Sequence, residues 1–220
     1  LYNLEADLGE TTDLAPRFPD VVNNLKIVGE KARSILGDKL TNRVGSESYE
    51  TVCGPKPPAV KFNHRAIGSN MVLKDRPHHK YSGESINALV NGVGGTINYR
   101  NPSWQGFEAT DLVATIDLGK ITNVNSIKVR FLQDQVVWIF LPKKIQIEHS
   151  VDGKIFEMVH ESFPVNDFSY AQEIFEFNVD LDEIESRYVR VKGYNINTCP
   201  EYHPGAGGPS WVFADEIIVQ

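Results

Sequence analysis

From about Tyr81 to Gln220 the chain alternates apolar and polar residues with a period of two. That period belongs to a strand with one buried and one wet face, because successive side chains leave a pleated strand on opposite sides. Val113-Ala114-Thr115-Ile116-Asp117-Leu118 reads as one strand, and Ile127, Val129 and Phe131 mark the next. Ile145 and Ile147 follow, then Asp152-Gly153 as a hairpin turn, with Ile155 to Val159 as the return strand. Phe175, Phe177 and Val179 alternate, and so do Tyr188, Val189 and Val191 around Arg187 and Arg190; Val212 to Val219 closes the series. No helical stripe of useful length interrupts it. Seven or eight short strands with turns between them predict an antiparallel sandwich or barrel.

Two stretches precede it. Residues 1–42 open with a short strand and a polar turn. Phe18-Pro19-Asp20 then starts a helix, with Pro in the first turn and an acid at the positive helix end. Val21, Leu25, Val28, Ala32 and Ile35 form its apolar stripe, expected to pack on the sandwich, and Gly37 stands at the C-cap. Residues 43–68 carry the turn signals Gly54-Pro55 and Pro57-Pro58 and read as a linker. The sandwich domain is placed at 69–220, its first strand near Asn70 to Leu73. The chain opens on Leu1 without a charged-then-apolar leader, which reads as a mature form or an excised fragment. Cys53 and Cys199 are too few for a disulfide scaffold and are left as one bridge or two buried thiols.

Composition removes several functions. A formal charge of −7 and a pI near 5.4 disfavour a phosphate-backbone binder, so no nucleic acid partner is expected. No apolar run approaches the length of a membrane span. There is no G-x-S-x-G, H-E-x-x-H or Walker-type loop. Asp215 and Glu216 are adjacent on a strand, so alternation sends them to opposite faces and denies them a paired acid–base role. His78-His79 beside Lys80 reads as a solvated loop, since adjacent residues seldom converge on one ion. The chain is not an enzyme by itself.

Seven motifs follow in order: Leu89-Val90-Asn91-Gly92, Trp104-Gln105-Gly106-Phe107, Ala114-Thr115-Ile116-Asp117-Leu118-Gly119, Trp138-Ile139-Phe140-Leu141-Pro142, Ser150-Val151-Asp152-Gly153-Lys154, Arg187-Tyr188-Val189-Arg190-Val191 and Trp211-Val212-Phe213-Ala214-Asp215-Glu216-Ile217. Their order and spacing resemble the discoidin-like, coagulation factor V/VIII type C domain. The resemblance is nearest to the family 32 carbohydrate-binding modules attached to bacterial glycan-degrading enzymes. It implies an all-β, eight-stranded antiparallel jelly-roll sandwich (discoidin or galactose-binding-like) with ligand loops at one end.

Leu1-Tyr2-Asn3-Leu4-Glu5 and Gly9-Glu10-Thr11-Thr12-Asp13-Leu14-Ala15 resemble the C-terminal tail of the type I sulfatases. That implies a catalytic domain, attached or missing, acting on sulfated glycans in the periplasm, at the cell surface or outside a bacterium. Cys53-Gly54-Pro55-Lys56-Pro57 imitates the start of the sulfatase nucleophile motif, but Pro57 stands where Arg is required. A fragment of an active sulfatase is therefore the lesser reading.

By the same resemblance a structural calcium would be held by Asn91, Thr96 and Glu216. Asn91 replaces the usual Asp and removes a charge that a hard cation wants. The alternative is a loop held by hydrogen bonds alone.

A pyranose needs an aromatic platform for its C–H face and polar groups for its hydroxyls. Loops 132–141, 162–169 and 197–211 can supply both. The resemblance points to Asp134, Asn166 and Trp211 as sugar ligands, with Trp138, Tyr202 and His203 next. His203 beside Pro204 reads as exposed, and Gly205, Gly207 and Gly208 as giving the last loop its backbone freedom. Trp104, Phe156, Phe175 and Phe177 are assigned to core or loop support. Lys74, Arg76 and Lys80 are basic residues that could meet a sulfate, though isolated ones are usually just solvated. A rival reading takes Val136 to Phe140 as apolar loop-tip spikes of an adhesion domain for protein or lipid, against which the return at Pro142 makes them partly core.

Overall fold

A computed structural model describes residues 1–38, 41, 60–166, 168–169 and 171–220. The chain divides into two compact units, Leu1–Pro57 and Pro58–Gln220, each taken by itself below.

In the first unit the helix α1 spans Pro19–Leu36, with Asp20 in its first turn, as the stripe predicts. Gly37 follows at φ 79° and donates its N–H to Arg33 O. Val21, Leu25 and Val28 on the stripe are exposed. Val22, one position round, lines a shallow cavity with Leu1, Ala15 and Leu25. The strand expected at the start is instead a series of turns. Asp7 accepts from the Thr11 and Thr12 N–H groups, and Asp13 from the Ala15 N–H and the Leu1 amine. These side chains claim the donors that a strand ladder would use.

The second unit contains β1 Val60–Lys61, β2 Asn70–Leu73, β3 Val93–Gly94, β4 Gln105–Glu108, β5 Leu112–Gln133, β6 Lys144–Ser150, β7 Glu157–Ser162, β8 Glu173–Tyr194 and β9 Trp211–Val219. All pairings are antiparallel. β5 and β8 run through both layers. The first half of β5 pairs with β2 and the second half of β8, which continues to β6 and β7. The second half of β5 pairs with the first half of β8 and with β9, which continues to β4. Inward residues of the first layer (Ala114, Ile116, Ile147, Val191) and of the second (Val129, Phe131, Val212, Ile217) share one buried cluster, which makes the two layers a sandwich.

The alternating segments read as separate strands are therefore continuous. The registers slip between Asp117 and Thr122 and again between Val124 and Ser126, and these irregularities bend the ribbon from one layer to the other. Gly119 sits there at φ +81°, and Arg187 grips Asp117 with Nε and Nη2 at 2.8 and 3.0 Å. That grip holds the Asp117 carboxyl below the usual carboxylate range.

Three other expectations change. The segment after Pro58, read as linker, belongs to the sandwich: β1 pairs with β3, and His64 and Ala66 are buried. Asp152-Gly153 does not make a two-residue hairpin, because Asp152 Oδ1 takes the Lys154 and Ile155 N–H groups and widens the loop, delaying β7 to Glu157. Phe156 leaves the core and lies under the Arg190 guanidinium, 3.4 Å from its ring centre, while Phe175 and Phe177 pack on the core as expected. Trp104 is buried, as assigned.

Candidate functional site

The three loops singled out by sequence interlock at one end of the sandwich. Loop 134–139 closes on itself, since Asp134 and Ile139 exchange N–H···O bonds, both 3.0 Å. Trp211 N donates to Trp138 O and Phe140 N to Trp211 O, each at 2.9 Å, so the start of β9 is stitched to this loop. His203 Nδ1 accepts from the Gly205 N–H at 3.0 Å, so its proton stands on Nε2, which donates to Gln135 O at 2.6 Å. Asn166 uses both arms of its amide on Leu141, accepting from its N–H and donating to its carbonyl, each at 2.9 Å. The Tyr202 hydroxyl donates to Asn166 O.

The six sugar-site residues are thus brought together, in different roles. Asp134 is buried and accepts from Gln172 Nε2 at 2.7 Å; its Oδ1 has no partner among the described residues. His203, expected in solvent, is buried, because two backbone groups need its ring nitrogens. Asn166 and His203 spend their polar atoms building the loops, and Asp134 spends one carboxylate oxygen on Gln172. Trp138 is half-buried in the left-handed region at φ +71°. Its indole covers Gly205 and Gly208, where an added Cβ would meet ring atoms at 2.7 and 2.8 Å. Two of the three loop glycines therefore serve close approach, and Gly207, at φ +80°, serves backbone freedom. Tyr202 is exposed, edge-on to Phe168 with ring centres 5.9 Å apart.

Trp211 is the predicted residue that faces a cleft. It, Tyr81, Tyr99, Val137, Ile139 and Phe213 line a narrow cleft of about 100 Å³. The Tyr81 ring stands edge-on to Trp211 at 5.4 Å and to Tyr99 at 6.0 Å, and His78 backs Trp211 at 5.1 Å. Next to it, sharing Tyr81, lies a wider cleft of about 370 Å³ lined by residues 80–83, 100–102 and Trp104. Tyr81 and Tyr99 escape the sequence reading. Their one signal is position: aromatic residues in turns that both precede the motif starting at Trp104, brought to Trp211 by the pairing of β4 with β9.

The calcium set tests differently. Glu216 is fully buried, and its carboxylate accepts from His64 Nε2 at 2.9 Å, Gly92 N at 3.2 Å and Val93 N at 3.1 Å. Asn91 Oδ1 accepts from Val93 N at 2.8 Å, and Thr96 Oγ1 from Asn101 Nδ2 at 3.5 Å. Asp215 joins them, accepting from Gly95 N at 2.5 Å and Arg130 Nη1 at 2.7 Å. Burial pushes the Asp215 carboxyl up to about 7, against the pull of Arg130. Alternation had sent Asp215 and Glu216 to opposite faces. A register slip between Val129 and Phe131 sets the two of them opposite Arg130 alone, and both reach the 92–95 loop.

A cation entering this loop would meet N–H hydrogens where calcium wants six to eight oxygens. The residues do not fit the ion in this arrangement, and among the described residues no three His, Cys, Asp or Glu gather as a metal site. The thermal midpoint is therefore expected to be the same in excess EDTA and in millimolar calcium. An ion at a hundred times its Kd would add about 2.7 kcal/mol, and a rise of several degrees would contradict the hydrogen-bonded loop. Cys199 is a buried thiol, its pKa raised by that burial; Cys53 and the sulfatase-like motif around it lie outside the described residues.

Comparison with known proteins adds the family. The family described as F5/8 type C domain matches residues 75–209. Among solved structures the chain is similar to chitosan-binding module 1 from a chitosanase/glucanase of Paenibacillus sp. IK-5 (TM-score 0.48, 13% identity, 72% of this chain and 99% of that one). It is also similar to a Streptococcus pneumoniae fucose binding module (0.44, 16%, 72% and 98%). A third is CpGH89CBM32-4 of Clostridium perfringens in complex with GlcNAc-α-1,4-galactose (0.46, 12%, 72% and 94%). No curated protein matches the chain.

Proposed function

We propose, because the chain belongs to the F5/8 type C domain family, that its sandwich unit is a non-catalytic carbohydrate-binding module. The observation that carries this is the cleft between Trp211, Tyr81 and Tyr99 at the loop end. Aromatic rings from three separate segments wall a slot open to solvent. That suits the apolar face of a pyranose, with the Tyr81 and Tyr99 hydroxyls in the lining as polar groups for its edge. Tyr202 and Phe168 offer a second exposed aromatic pair at the same end.

A shallow site binds weakly by itself. Its use is to hold an attached glycan-degrading enzyme on a polymer, where linkage raises apparent affinity by ~10²–10⁴. From the likeness of the N-terminal segment to a sulfatase tail, we take that enzyme to be a sulfatase acting outside the bacterial cytoplasm. No helix among the described residues is long and apolar enough to cross a membrane. The adhesion reading has less support: of Val136 to Phe140, Val136 alone is exposed, Ile139 and Phe140 being buried and Val137 and Trp138 half-buried.

A glycan array with the intact chain tests the proposal. Binding to a discrete set of glycans is expected, and silence across neutral and charged glycans would overturn it.

A further inference from the structure

The wider cleft beside the aromatic slot is lined by cations and by no carboxylate. The protein carries a formal charge of −7, yet neither cleft has a carboxylate in its lining. The charged groups there are Lys80 and Arg100, from the turns that also carry Tyr81 and Tyr99. The Arg100 guanidinium lies over the Tyr99 ring, 5.3 Å from its centre, and Nε donates to the Tyr99 hydroxyl at 3.1 Å. This holds the side chain beside the aromatic slot with Nη1 and Nη2 left over. Neither Arg100 nor Lys80 has a carboxylate partner among the described residues. Glu108, at the end of β4, is turned to His78, 3.8 Å from its Nε2, and Glu84, which follows Gly83, is not in the cleft lining. Other cations are paired, Arg190 and Lys192 with Glu148, Arg187 with Asp117 and Lys128 with Glu176, while Lys74, Arg76 and Lys120 share with Lys80 and Arg100 the lack of a carboxylate partner among the described residues but line neither cleft.

Two cations without counter-ions, next to an aromatic wall and on an acidic protein, are a pattern that neutral sugar does not need. We propose that the site takes an acidic glycan, a pyranose bearing carboxylate or sulfate. Its ring lies against the cleft that Tyr81, Tyr99 and Trp211 line together, and its anion in the arm between Lys80 and Arg100. The proposal rests on the sugar-binding reading above and names the ligand class of that site. Arg can meet a carboxylate or sulfate with two parallel N–H bonds, and Lys supplies a point charge. The single anion, drawn to an uncompensated positive corner, sets the orientation of the residue in the slot.

Isothermal titration of the full chain with oligogalacturonate, with a sulfated galactan oligosaccharide and with a neutral galactan oligosaccharide tests this. One or both acidic ligands should bind roughly tenfold or more tighter than the neutral one. Which acidic arm wins tells carboxylate from sulfate. Raising ionic strength from about 0.01 M to about 1 M shortens the screening length from about 30 to about 3 Å and should erase the preference. The double variant Lys80→Gln/Arg100→Gln should bring the acidic ligands down to the neutral level, and Trp211→Ala should lose them.

Equal binding of acidic and neutral ligands would overturn the acidic assignment and leave the sugar-binding reading standing. Acidic binding that survives Trp211→Ala would be adsorption to charge alone and would overturn it too. No binding of any of the three would count against both.

Discussion

Trp211→Ala is expected to cost the module most of its glycan affinity, at least ~30-fold, while leaving it folded. Trp211 is half-buried, with one edge against Tyr81 and Phe213 and the rest facing the slot. A large aromatic at the centre of a small site carries a disproportionate share of binding, with truncation typically costing about 2 kcal/mol or more. The backbone role of residue 211 is independent of the ring: its N–H and carbonyl still bond Trp138 and Phe140 after truncation. Affinity electrophoresis in a glycan-containing gel separates the two effects. Loss of retardation with unchanged circular dichroism supports the assignment. Tyr81→Ala should repeat the loss from the adjoining ring. Retention of full affinity in both variants would show that sugar binds elsewhere.

The second large effect is on stability. Arg130→Met is expected to lower stability by about 3–5 kcal/mol, because it leaves Asp215 buried without its cation. Asp215 is fully buried and Arg130 nearly so, 2.7 Å apart. The guanidinium lies over Phe62, and Gly94 leaves it room: a Cβ there would meet Nη1 at 2.1 Å. Glu176, partly exposed, is the second carboxylate near Arg130, 3.3 Å from its Nε. For a unit of this size the loss corresponds to a fall in thermal midpoint on the order of 10 °C. The cost comes from stranding a charge, so Arg130→Met combined with Asp215→Leu should recover much of it. Scanning calorimetry on the two variants decides the matter. A single variant within about 1 kcal/mol of wild type would contradict the account, as would a double variant no more stable than Arg130→Met alone.

The sandwich was legible because its cause acts residue by residue: each strand must hide one face, and Ala114, Ile116, Val129 and Val191 record that in their spacing. What escaped was whatever breaks the period. β5 and β8 are continuous because irregular register around residues 117–126 bends them without ending them, and alternation carries no mark of that difference. The same blindness put Asp215 and Glu216 on opposite faces, where a bulge opposite Arg130 turns both toward one loop. His64 and Ala66 sat in a segment whose Pro-rich start looked like linker, and their burial depends on a strand of two residues pairing with Val93 and Gly94.

At the candidate site, position was readable and direction was not. Asp134, Asn166 and His203 do lie in the loops that meet Trp211, but backbone groups claim the polar atoms of Asn166 and His203, and the Asp134 carboxylate is buried against Gln172. Tyr81 and Tyr99 reach Trp211 only after β4 pairs with β9, a contact between distant parts of the chain that no local pattern announces.

The most direct test of the central claim is to record the amide and indole spectrum of the isotope-labelled chain while adding an oligosaccharide found on the array. Sugar seated in the aromatic cleft should move the Trp211 indole N–H and the amides of residues 80–82, 99–101 and 137–139, with the signals of the outer face of β6 and β8 unmoved. Shifts centred on Tyr202 and Phe168 alone, on the outer sheet face, or nowhere would contradict it.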